Sequence, residues 1–217
     1  ASPNNLLQVA GLIKFDNTSE STNLGYQAGN ADRNDFNTFV GYQAGLSTNE
    51  GGNVVVGHKA LYANTTGGFN TSIGDRSLLG NSTGASNVAV GIFAGRSITT
   101  GQSNTFLGSN SGYSGLQKVN VIGSIALGYG AYTTADYQVV LGSASITQTL
   151  LRGNVGIGTS TPASVLHINQ ASATSTLIID AGGTNIACFK MKDSDGAGYT
   201  YITANDGALT ASSTSCQ

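Results

Sequence analysis

Asn87-Val-Ala-Val-Gly91 and Asn104-Thr-Phe-Leu-Gly108 are two copies of one pattern: Asn, a β-branched residue, a variable residue, an aliphatic residue, Gly. Upstream stand Asn37-Thr-Phe-Val-Gly41, Asn53-Val-Val-Val-Gly57 and Asn70-Thr-Ser-Ile-Gly74. Downstream stand the relaxed copies Ser124-Ile-Ala-Leu-Gly128, Gln138-Val-Val-Leu-Gly142 and Asn154-Val-Gly-Ile-Gly158, and a degenerate first copy ends at Gly25. Successive glycines are 16, 16, 17, 17, 17, 20, 14 and 16 residues apart. A period of this length marks a repeat protein, in which each unit is too small to bury a core alone and must stack on its neighbours.

Each column of the repeat carries an expectation. Val40, Val56, Ile73, Val90, Leu107, Leu127, Leu141 and Ile157 precede the glycines, and β-branched residues stand two positions earlier. Between them lies a mixed column: Phe39, Val55, Ser72, Ala89, Phe106, Ala126, Val140 and Gly156. Side chains alternate across a strand, so the two restricted columns share one face and the mixed column takes the other. We expect the restricted face to form the core and the mixed face to meet solvent or another chain. Phe39 and Phe106, with Tyr42, Phe93 and Tyr129, are then interface candidates.

Three residues past the glycine the column is small (Ala44, Ala60, Ser77, Ala94, Ser111, Ala131, Ser145, Thr161), which would let a second short strand pack close to the first. The glycines themselves predict a backbone geometry strained by a Cβ, or a close backbone approach. The asparagines Asn37, Asn53, Asn70, Asn87, Asn104 and Asn154 either hydrogen-bond along the stack as a ladder or serve as independent turn residues. The expected fold is all-β: a parallel β-roll or β-solenoid of about nine 14–20-residue coils over residues 21–162.

Composition agrees. Of 217 residues, 31 are Gly and 2 are Pro, Trp is absent, and only 9% are charged. A disordered chain carries more charge and proline, whereas small and β-branched residues suit short strands and turns. A net charge of −2 offers no basic stripe, so nucleic-acid binding is not expected. No apolar run reaches the roughly 20 residues of a membrane helix, so membrane insertion is not expected either. The opening Ala-Ser-Pro suits a mature product of signal-peptide cleavage, which implies export.

Ser124-Ile-Ala-Leu-Gly-Tyr-Gly-Ala131, followed by Gln138-Val-Val-Leu-Gly142, resembles the head repeats of trimeric autotransporter adhesins, and similar repeats occur in bacteriophage tail fibres. Asn154-Val-Gly-Ile-Gly-Thr-Ser-Thr-Pro162 is similar to the exit from such repeats in phage-type fibres and predicted bacterial surface proteins. The resemblance spans roughly residues 21–162. It implies a left-handed β-roll packed as a homotrimer, extracellular on a cell surface or a virion tail fibre, with host or cell-surface glycans as possible partners. Two departures stand out. Most repeats here are longer than the family's typical one, and no heptad stalk or membrane anchor is present in this sequence.

Outside the repeat, residues 1–20 contain Leu6, Leu7, Val9, Leu12, Ile13 and Phe15. They read either as a cap over the first coil's open edge or as a strand that inserts into a neighbouring subunit and builds a head-to-tail filament. Residues 163–217 read as a small β meander or sandwich of five strands: Ser164–Ile168, Thr176–Ile179, Ile186–Met191, Tyr199–Thr203 and Ala208–Ala211. Glycine-bearing turns separate them. Cys188 and Cys216 have no zinc-like spacing. An exported chain favours a disulfide between them, with free buried thiols or an interchain bond as alternatives.

No catalytic, cofactor or metal constellation emerges. Asp193-Ser-Asp-Gly196 lacks the later acidic ligand of a calcium loop and reads as a turn. His58 and His167 have no triad partners, and Asn64 and Asn81 stand in glycosylation-type sequons expected by chance. The expected role is therefore structural or adhesive, in a homotrimer, a filament or a tail fibre, rather than enzymatic.

Overall fold

Each copy of the repeat contributes one three-residue strand, and these strands stack in register. The computed structural model describes residues 20–31 and 36–169, and the backbone of 13–15, 188–192, 199–205 and 208–212. One sheet runs in chain order: β1 (Ile13–Phe15), β2 (Thr22–Leu24), β3 (Thr38–Val40), β4 (Val54–Val56), β5 (Thr71–Ile73), β6 (Val88–Val90), β7 (Thr105–Leu107), β8 (Ile125–Leu127) and β9 (Val139–Leu141). Strands β2 to β9 pair parallel, each with the equivalent residues of the next coil, as in Thr38↔Val54 and Val40↔Val56. The fold is an all-β parallel solenoid of about seven turns. Strand spacing is about 4.8 Å, so the stack from β2 to β9 is roughly 34 Å long.

Residues 21–162 do not form a single solenoid. The first unit, Ala1–Thr149, holds the nine-stranded sheet. In the second, Leu150–Gln217, β10 (Val155–Ile157) pairs parallel with β11 (Leu166–Ile168). The ninth motif, Asn154 to Gly158, thus joins a different sheet. Strands β12 (Cys188–Lys192), β13 (Tyr199–Asn205) and β14 (Ala208–Ser212) form an antiparallel meander. Thr176–Ile179, Asp193–Gly196 and Cys216 lie outside the described residues, as does any pairing of Cys188 with Cys216.

The expected inside and outside are reversed. In the mixed column Phe39, Val55, Ser72, Ala89, Phe106 and Ala126 are 0% exposed, while Val140 is half-buried and Gly156 exposed. The restricted column proposed as core is turned outward: Ile73, Leu107, Leu141 and Ile157 are exposed and Val40, Val56, Val90 and Leu127 half-buried. Period-two alternation states which residues share a face, and not which face is inside.

Volume matching across the narrow interior explains why the inner column varies. Phe39 lies opposite Gly45, where an added Cβ would fall 2.1 Å from its ring, and against Gly29 of the preceding coil. Phe106 has Gly112 and Gly95 in the same places. Where the inner residue is smaller, as with Val55 and Ser72, the glycine position holds Leu61 and Leu78, both fully buried. Ala89, with Gly95, is complemented by buried Ile98. Large and small residues thus trade places around each coil at near-constant packing density.

The second wall of each coil is built of turns rather than the expected strand. Its residues alternate into positive φ, for example Gln43 (53°) with Gly45 (59°) and Lys59 (52°) with Leu61 (50°), which an extended strand cannot do. Hydrogen bonds still pass from coil to coil, as from Gly45 N to Ala60 O at 2.9 Å and from Leu61 N to Ser77 O at 2.9 Å. The small column, Ala44 to Ala131, is buried in this wall, while Ser145 and Thr161, beyond β9, are exposed.

The recurring glycines serve both suggested purposes. Gly74 sits at φ 131°, and a Cβ there would lie 2.5 Å from Gly91 O in the next coil. Gly25, Gly41, Gly57 and Gly91 stand in the same relation to the next coil, and contact loosens at Gly128. Gly142 keeps positive φ without that inter-coil approach, its nearest neighbour being the Ile146 side chain.

The asparagines form a ladder. Asn53 N donates to Asn37 Oδ1 (2.8 Å), Asn70 N to Asn53 Oδ1 (3.0 Å), Asn87 N to Asn70 Oδ1 (3.0 Å) and Asn104 N to Asn87 Oδ1 (3.1 Å). At the last rung Ser124 N donates to Asn104 Oδ1 at 2.9 Å. Asn154 is exposed, donates to Pro162 O and stands outside the ladder. A second, shorter ladder links Thr48, Asn64 and Asn81, through Asn64 Nδ2 to Thr48 Oγ1 (3.5 Å) and Asn81 Nδ2 to Asn64 Oδ1 (3.1 Å). Asn64 and Asn81 are fully buried, so the folded chain offers neither to a glycosyl transferase.

The long coil between Gly108 and Gly128 is clipped to the next. Gln117 and Thr133 exchange two hydrogen bonds (3.0 and 2.9 Å), and Asp136 accepts from Lys118 Nζ at 2.6 Å and from Ile122 N at 2.9 Å. The Lys118 hydrogen bond, then that from Ile122, holds the Asp136 carboxyl below its ordinary value. A depressed folded pKa means that the clip's contribution is present above the unfolded value and is lost as pH falls through the folded one. Protection of the Ile122 amide, measured against its intrinsic exchange rate at each pH, is therefore expected to fall below about pH 4, and Asp136→Asn to abolish that pH dependence.

Candidate self-association surface

The outer face of the sheet is built from β-residue geometry alone. First and third residues of each strand point the same way, so β2 to β9 present two parallel columns. One runs Thr22, Thr38, Val54, Thr71, Val88, Thr105, Ile125, Val139; the other runs Leu24, Val40, Val56, Ile73, Val90, Leu107, Leu127, Leu141. No position in either column is charged or amide-bearing. Val54 is 41% exposed and Leu107 48%, whereas the inner residues between the columns are sealed. Apart from Thr22, Thr38, Thr71 and Thr105 the strip is apolar, and patches of this kind on a monomer are often functional.

A ridge of rings and charges follows the glycines. Tyr26 stacks on Tyr42 with centroids 5.7 Å apart, and Tyr42 meets His58 at 5.5 Å. His58 Nδ1 lies 2.6 Å from Asp75 Oδ1, so this histidine has a partner that the sequence did not show. Arg96 lies over both the Phe93 and Tyr113 rings, 4.9 and 4.7 Å from their centroids, and Arg76 lies 5.6 Å from the Phe93 centroid. Of the aromatics expected at an interface, Tyr42 and Tyr129 are exposed and Phe93 is half-buried. Phe39 and Phe106 fill the chain's own interior.

Residue by residue, the structure places the glycine column at the coil corners, the Asn column inside from Asn37 to Asn104, and the aliphatic column outside. Of the linking-strand residues, Ile13 and Phe15 lie in β1, which pairs antiparallel with β2 (Ile13↔Leu24, Phe15↔Thr22). Leu6, Leu7, Val9 and Leu12 lie outside the described residues. The second ladder was missed. Its signal was Thr48-Asn-Glu-Gly51, Asn64-Thr-Thr-Gly67, Asn81-Ser-Thr-Gly84 and Ile98-Thr-Thr-Gly101, a column with Gly three residues on. Among the described residues no group of His, Cys, Asp or Glu is arranged to hold a metal, and no helix is long and apolar enough to cross a membrane.

No family model, curated protein or solved structure matches the chain. The surface itself is what bears on function.

Proposed function

We propose that this chain is a structural or adhesive subunit of an extracellular self-assembling fibre, associating side by side as a homotrimer like the adhesin heads its repeats resemble. The observation that carries the reading is the outer sheet face, two uncharged columns along eight coils with no role inside the chain. Its size sets a condition. A strip about 34 Å by 10 Å is roughly 350 Å², less than half of the ~800 Å² per partner in a stable interface. Flanking residues such as the exposed Tyr42 must therefore share the contact.

Light scattering tests this. The untagged chain of 21.9 kDa is expected in particles of three chains or a multiple of three. Ile73→Lys with Leu107→Lys changes two outward side chains and is expected to yield monomers with an unchanged β-type circular dichroism spectrum. A wild-type chain that stays monomeric at micromolar concentration would sink the proposal.

A second reading, a filament joined head to tail, is favoured by one observation. The sheet's two ends differ: β1 covers β2 at one, while among the described residues no strand pairs with the far side of β9.

A further inference from the structure

We infer that the outer edge of β9 is an acceptor for residues 1–12 of a second copy of this chain; this rests on the fibre reading above and supplies its longitudinal joint. The backbone geometry shows which groups have no partner among the described residues. In β3, Thr38 N donates to Asn53 O of the next coil at 2.8 Å, and Val40 O accepts from Gly57 N at 2.8 Å. The equivalent groups in β9 are Val139 N and Leu141 O. They face away from β8, because β9 meets β8 through Gln138 O, which accepts from Ile125 N, and through Gly142 N, which donates to Leu127 O. An edge with its N–H and C=O groups unpaired is a template for an added strand.

The interior is open at the same place. Tyr132, Thr134, Gln138, Val140, Gly142 and Ser143 line a hollow of about 260 Å³. Val140, the last inner-column residue, packs on the core from one side but is only partly buried, unlike Phe39 through Ala126. An occupant must therefore bring both a strand backbone and apolar side chains on one face.

The chain contains such a segment, and it starts from the opposite end of the solenoid. Beyond β1, which already closes the β2 edge as an antiparallel strand, the sequence continues upstream through Leu12 to Leu6. Leu7 and Val9 are two residues apart, so in a strand both point the same way. Twelve extended residues reach roughly 40 Å. With two copies end to end, the segment leaving one copy's β2 end lies beside the other's β9 end. The joint is heterologous and does not close on itself, so it propagates as a fibre.

Two full-length variants break the two halves separately. Val139→Pro deletes the outward N–H while leaving the β8 bonds, a change that edge strands tolerate. Leu7→Asp alters only the inserted segment. Wild type is expected to form linear particles in negative stain. Each variant alone should stop at the laterally associated particle. A mixture of the two should form particles of two units and no longer, because one joint pairs an intact edge with an intact segment. Continued end-to-end growth of either variant, or a mixture that forms no two-unit particles, overturns the inference. Val139→Pro that melts early yet assembles like wild type would mean that the edge is covered within the chain, which also overturns it. Ile73→Lys with Leu107→Lys tests the lateral contact separately, so failure of one joint is distinguishable from failure of the other.

Discussion

Replacing Asn70 with leucine is expected to cost the solenoid about 1–3 kcal/mol. Its Oδ1 accepts from Asn87 N (3.0 Å) and Nδ2 (3.1 Å), and its Nδ2 donates to Asn53 Oδ1 (3.3 Å) and Gly84 O (2.9 Å). Leucine is near in size and leaves no cavity, so the loss is one of polar satisfaction. Asn87 Nδ2 keeps Gly101 O and Asn53 Oδ1 keeps the backbone N–H of residue 70. Gly84 O keeps its hydrogen bond from Asn81 Nδ2 (2.9 Å), so Asn87 N–H alone is left unpaired where water does not reach, at roughly 1–3 kcal/mol. Against a typical domain stability of about 5–15 kcal/mol, that is a large fraction. Asn154→Leu alters the same repeat column, but at an exposed site outside the ladder, and is expected within about 0.5 kcal/mol of wild type. Urea unfolding of the two variants decides the matter. Equal midpoints would mean that the ladder is geometry without energetic weight.

The second large effect is a coupled one. Phe39→Val alone opens a void and is expected to destabilise by about 2–4 kcal/mol, and Gly45→Leu alone drives a side chain into the Phe39 ring and costs at least as much. Together they recreate the natural pair Val55 and Leu61, in which leucine already occupies this wall position at positive φ. The double variant is therefore expected to be more stable than Gly45→Leu alone, with a coupling energy of about 2 kcal/mol or more. Additive losses in a double-mutant cycle would show that the coils do not trade volume in this way. The partner glycine Gly29, which also touches the ring, limits the rescue, since the void on that side stays unfilled.

Both predictions depend on features of unequal visibility. The ladder was half legible: the asparagine column shows in the sequence, but a turn asparagine and a stacked one look alike until neighbouring coils are placed in register. The pairing Thr38↔Val54, repeated coil after coil, settles that. The volume trade between Phe39 and Gly45 was visible only as looseness in a column, and looseness reads as solvent exposure. In a tube this narrow it means the opposite, because each inner residue answers to the one across from it. The second wall was misread for a related reason. A row of small residues suits a strand and a tight turn equally, and only the alternation into positive φ at Gln43, Lys59 and Leu61 distinguishes them.

The sequence by itself determined the repeat, its period, the three-residue strands, the parallel stack and the corner glycines. All of these are local or periodic properties, written once per coil and enforced by backbone sterics. The tertiary structure alone decided which face of each strand lies inside, that the ninth motif joins a different sheet, and that β1 covers one edge of the solenoid while no strand among the described residues pairs with the other. Alternation is symmetric under exchange of its two faces, and a repeat carries no mark of where stacking stops. Both symmetries are broken only when residues distant in the chain compete for the same space.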